Sequence, residues 1–122
     1  MATNSTYTQV GNHSELTRYK SADVVKTDDH LLEDFPVGMA DVYFGVKFFA
    51  AGGAAATASA GSVLIEVASA ANSPAFETVG TITAATPTTL AWTGNLQDIR
   101  VTPTGLLGFA SWRVVVIMNW RR

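Results

Sequence analysis

The sequence predicts an all-β domain, an antiparallel β-sandwich or jelly roll preceded by an extended N-terminal arm. Three observations carry that expectation. Phe109 to Trp120 alternates over its whole length, with Trp112, Val114, Val116, Met118 and Trp120 on one face and Arg113, Val115, Ile117 and Asn119 on the other. Segments of the same period recur upstream at intervals of roughly 10 to 15 residues, with turn residues between them. No segment keeps a helical period convincingly.

Taken in order, residues 1 to about 20 are rich in Thr, Ser and Asn, with isolated Tyr7, Val10, Leu16 and Tyr19, and read as an arm. Val24 and Val25 mark a short strand within Ser21 to Lys26. Thr27 to Asp34 suits one helical turn, capped by Thr27 and acidic early. Phe35-Pro36-Val37-Gly38 then turns the chain into the sheet, so the domain boundaries are residues 1–36 for the arm and 37–122 for the sandwich. Asp41 to Ala50 alternates cleanly, with Val42, Phe44, Val46 and Phe48 on one face. Ala51 to Gly61 is a loop of small residues. Strands follow at Ser62 to Ser69, Phe76 to Thr83, Thr88 to Trp92 and Leu96 to Thr102, the last two separated by a turn at Thr93-Gly94-Asn95. As an exposed edge, Val114 to Met118 would invite aggregation, which places the closing strand centrally or under another subunit.

Composition narrows the function classes. The 122 residues fit one domain, large enough to bury a core without staples, and the absence of cysteine excludes disulfides and Cys-based zinc sites. A net charge of −2 and a charged fraction of 15% do not suggest a general nucleic-acid or anionic-membrane binder. Charge is uneven. Residues 1–41 carry three basic and seven acidic side chains, a net −4, and the remainder carries five basic and three acidic, a net +2. No apolar run approaches the roughly 20 residues of a membrane span, and no secretory signal is expected from the first residues.

The chemistry-bearing groups are few. Asp28-Asp29-His30 with Glu33 and Asp34 is the densest set of hard ligands, yet it lacks the alternation and glycine of a calcium loop and reads as a solvated acidic turn. His13 and His30 have no nucleophile motif beside them, so triad catalysis is without support. Glu66, Glu77 and Asp98 lie on strands, where an acid/base pair needs two of them in one cleft. No glycine pattern fits a phosphate loop. Neither catalytic residue, metal site nor cofactor is expected. Trp92, Trp112 and Trp120, with Tyr43 and Phe49, raise a carbohydrate-stacking alternative, against which Trp112 and Trp120 share an apolar face suited to core packing. Trp120 beside Arg121 and Arg122 also has the composition of a protein interface.

From Gly61 onward the pattern Gly61-Ser-Val-Leu-Ile-Glu-Val-Ala-Ser, then Asn72-Ser-Pro-Ala-Phe-Glu-Thr-Val-Gly, then Ile99-Arg-Val-Thr-Pro-Thr-Gly resembles small β-sandwich virion proteins of tailed bacteriophages. These include head decoration, or cement, proteins and fibre modules. The resemblance covers about half of the chain and implies a non-enzymatic virion protein on the capsid surface, made in the bacterial cytoplasm. Its expected partners are itself, as a homotrimer, and the major capsid protein, with no nucleic acid or membrane. Candidate subunit or capsid contacts are Tyr7, Val10, Leu16, Tyr19, Trp120, Arg121 and Arg122. The arm would order along capsid subunits, so that deleting residues 1–20 would leave a folded sandwich but abolish shell binding. The alternative is a receptor- or glycan-binding module of a tail or fibre.

Overall fold

A computed structural model describes residues 3–13, 16–25, 27–71 and 75–120. Among these residues the regular structure is all strand: β1 (Thr3–Asn4), β2 (Tyr7–His13), β3 (Leu16–Ser21), β4 (Val24–Val25), β5 (Asp29–Leu32), β6 (Met39–Phe49), β7 (Ala55–Ala56), β8 (Ala60–Ser69), β9 (Glu77–Thr83), β10 (Leu90–Leu107) and β11 (Ser111–Trp120). They form one curled sheet folded into two layers, because β10 belongs to both. The first layer runs β1-β5-β10-β8-β9 and the second β10-β6-β11-β3-β2, with β4 on β11 and β7 on β6. All pairs are antiparallel except β1 with β5, so the sheet is mixed.

The closing strand is central, as its composition demands. β11 lies between β6 and β3, and Trp112, Val114, Val116 and Met118 are fully buried. Opposing residues of the first layer, Ile65, Val67, Ile99 and Val101, complete the core with Val42, Phe44 and Leu32.

The segment before residue 37 differs from the expected arm. β2 and β3 form a hairpin that extends the second layer, while β1 and β5 complete the first. Thr17, Tyr19 and Ser21 are buried. Alternation of Thr17, Tyr19 and Ser21 with Arg18 and Lys20 is weak in hydrophobicity, which hides a genuine strand. Between β3 and β4 the chain leaves β11 for two residues, and the Ser21 hydroxyl accepts from the Val114 backbone N–H there, at 2.8 Å, in place of a ladder carbonyl. Residues 29–32 are a strand, not a helical turn: His30 and Leu32 point inward with no exposed surface, while Asp29 and Leu31 on the other face are half-buried. Two residues beyond the end of β5, Asp34 adopts φ 62° and is held by its N–H on Asp98 Oδ1 (3.2 Å) and by Gln97 Nε2 donating to its Oδ1 (3.0 Å).

β10 corrects a second boundary. The expected turn at Thr93-Gly94-Asn95 is a crossing point inside one strand of 18 residues. Residues 90–95 pair with β6, and the chain then passes to the first layer to pair with β8 from Leu96 onward, with a register shift between Leu96 and Asp98. The Trp92 ring folds over Gly94; an added Cβ would sit 2.4 Å from the ring, so a larger residue here would displace it.

Candidate protein-docking surfaces

The sequence-predicted contact residues separate into two groups. Tyr7, the first residue of β2, and Tyr19, within β3, pack with Phe35: Tyr7 stacks on it at 4.5 Å and Tyr19 meets it edge-on at 5.3 Å. The Tyr7 hydroxyl donates to the Asp34 carbonyl, and burial raises the pKa of both tyrosines. These rings therefore bind the hairpin to the rest of the fold. Val10 and Leu16 side chains, and Arg121 and Arg122, lie outside the described residues.

Trp120 is half-buried at one end of the sandwich. Its Nε1 donates to Thr17 Oγ1 at 3.0 Å, and its ring lies against Gly38, where a Cβ would approach to 3.2 Å. A groove of about 310 Å³ opens beside it, lined by Gln9, Thr17, Tyr19, Pro36, Val37 and Trp120. Nearby Val37 and Met39 are 79% and 50% exposed, which leaves this end with large apolar side chains in water.

A second surface is the outer face of the second layer. Strand alternation puts Arg113, Val115 and Ile117 of β11 outward, and the register sets Lys47, Gly45 and Tyr43 of β6 beside them on one side and Lys20 and Arg18 of β3 on the other. Two adjoining depressions of about 220 and 270 Å³ share Lys47, Val115 and Ile117. Arg113 is bonded to Asp23 through two contacts of 2.6 and 3.0 Å and lies over the Phe49 ring. Sequence reading assigned a mixed outer face to β11 but could not identify its neighbours. Register fixes those, and β3 was hidden in the supposed arm.

The strand carboxylates are separately engaged. Glu66 forms a bidentate pair with Arg100 across β8 and β10, Glu77 accepts from Trp92 Nε1, and Asp98 accepts from the Asp34 N–H. His30 lies in the core against Trp112, edge-to-face at 4.4 Å, with Asn4 Nδ2 donating to its Nδ1 at 2.9 Å. That bond places the ring proton on Nε2, and burial lowers the pKa to about 4. Among the described residues no three His, Asp or Glu side chains group to hold a metal. Trp112, one of the stacking candidates, is fully buried and donates to the Val25 carbonyl.

A family model described as a domain of unknown function (DUF7265) matches residues 19–121, so the chain belongs to that family. No curated protein matches it. Among solved structures it is similar to one from a study of the mechanism of oxalate oxidase, at 12% identity and a TM-score of 0.47, covering 96% of this chain and 51% of that one. It is also similar to a protein of Bacillus endospore appendages, described as disulfide-linked pili, at 12% identity and a TM-score of 0.43, covering 93% of this chain and 100% of the other. The chain thus spans about half the length of the oxalate oxidase structure.

Proposed function

We propose that this member of the DUF7265 family is a non-enzymatic bacteriophage virion protein, a capsid decoration protein that assembles as a homotrimer on the head and binds the major capsid protein. The resemblance of its strand sequences to such proteins supports the class. The observation that carries the mechanism is the apolar end around Trp120, where Val37 and Met39 stand exposed beside a half-buried tryptophan. Apolar area removed from water contributes about 25 cal/mol per Å², so joining three such ends would stabilise an assembly. Contacts would come from rigid strand surfaces and not from a mobile arm, since residues 17–21 are part of the sheet. Attachment through several subunits raises avidity without tight single contacts.

The test is co-sedimentation of the purified chain with undecorated phage shells. Saturable binding in multiples of three is expected; shells that pellet without the protein contradict the capsid role. The glycan-binding alternative draws support from the same groove, where Gln9 and Thr17 place polar groups beside the Trp120 ring. A tryptophan fluorescence change on adding host-surface glycans, absent in Trp120→Ala, would favour it.

A further inference from the structure

The outer face of the second layer carries more positive charge than the fold uses. Arg113 is held by Asp23, but Arg18, Lys20 and Lys47 make no ion pair among the described residues. Lys47 stands directly opposite Arg113 in the ladder, and like charges in that position are locally destabilising. Lys20 and Arg18 stand opposite Val115 and Ile117, so cations ring an apolar floor. Beside that floor Gly45 leaves a notch, since a Cβ at this residue would meet nothing within 4 Å. Tyr43, 39% exposed, forms one wall of it.

We infer that this face docks an extended acidic segment of a partner protein, with an aliphatic or aromatic side chain in the Gly45 notch and carboxylates on Arg18, Lys20 and Lys47. The inference rests on the reading of the chain as a structural protein that binds another protein, and it names the contact. Charge complementarity selects an anionic partner. The apolar floor selects a polypeptide: a phosphate or sulfate chain would leave Val115 and Ile117 uncovered, and single-stranded nucleic acid needs several open aromatic platforms, where among the described residues this face offers Tyr43 and a Phe49 ring already covered by Arg113. Opposite-charge contacts here would also relieve the Lys47–Arg113 repulsion, so binding and local stability favour the same occupant.

The test titrates the full chain with a short capped extended peptide whose every second residue is Glu, Leu, Glu and so on, with Ser between them so that Glu and Leu share one face, following backbone amide shifts by NMR. Shifts confined to β3, β6 and β11 are expected, with binding weakened at least about tenfold by the Lys20→Glu/Lys47→Glu pair and by raised salt. Gly45→Val, which fills the notch, should weaken binding while the unfolding temperature holds. The same peptide with Gln for Glu should not bind. No binding by the acidic peptide, equal binding by the charge-reversed protein, or tighter binding of heparin or duplex DNA at this face would overturn the inference. So would a wild-type oligomer that the charge reversal converts to monomer, because the occupant is then a second copy. Undecorated shells separate the two claims. Shells ignored by the wild type while the peptide binds would end the capsid reading and leave the docking face standing; shells that bind both proteins equally would do the reverse.

Discussion

The two outer faces of the sandwich solve the same problem differently. On the first layer Arg100 stands directly opposite Glu66, bonds it through two contacts of 3.0 and 3.1 Å and lies 4.3 Å from the centre of the Phe76 ring. Its pKa is raised, first by the Glu66 hydrogen bonds. On the second layer the equivalent cross-strand place opposite Arg113 holds Lys47, and the carboxylate that satisfies Arg113 comes from Asp23, beyond the end of β3. One face is closed by its own residues. The other keeps a surplus of cations around an apolar floor, which is a poor arrangement for stability alone and a good one for a partner.

Removing the support beneath the second face should have the largest effect. Deleting residues 1–21 takes away β1, β2 and β3 and uncovers one edge of β11, so we expect loss of cooperative unfolding by circular dichroism; a truncated chain with a sharp, near-native transition would restore the arm. Trp112→Ala, beneath the same face, should cost about 3–5 kcal/mol in denaturant unfolding, because it empties a fully buried site and removes one of the two hydrogen bonds that the Val25 carbonyl accepts. A cost below about 1 kcal/mol would mean that this core is looser than described.

Acid should loosen the first layer. Free histidine has a pKa of 6.5 and His30 in the fold about 4, so between those values the unfolded chain takes up a proton that the folded chain refuses. Stability contributed by neutral His30 is complete above the unfolded value and falls as pH drops through that window, by a total on the order of 3 kcal/mol. His30→Leu should flatten the slope of unfolding free energy with pH; an unchanged slope would assign it to other groups. The smallest effects discriminate the faces most finely. Glu66→Gln should cost about 0.2–1 kcal/mol, since the Arg100 side chain is 43% exposed, whereas Lys47→Glu should be neutral or slightly stabilising, within about 0.5 kcal/mol. Equal losses from both would erase the contrast.

Strands with strong alternation were legible without a structure. Phe109 to Trp120 and Asp41 to Ala50 declare their buried faces by composition, and both are central strands with those faces inward. Three features were not legible. β3 alternates Thr17, Tyr19 and Ser21 with Arg18 and Lys20, a pattern too polar to separate from an arm, because its inward residues are buried by neighbours distant in sequence. Gly94 and Asn95 carry turn chemistry that the fold uses to move one strand between layers. The cationic face depends on register among β3, β6 and β11, and pairing is a long-range property that no local spacing encodes. Trp120 was legible as a peripheral tryptophan, and the fold leaves it half-buried beside exposed Val37 and Met39.

The most direct measurement is the solution mass of the purified chain by light scattering across a range of concentrations, with Trp120→Ala alongside. The account predicts a mass of three chains that holds on dilution for the wild type and falls toward one chain in the variant. A wild-type monomer at every concentration would contradict it.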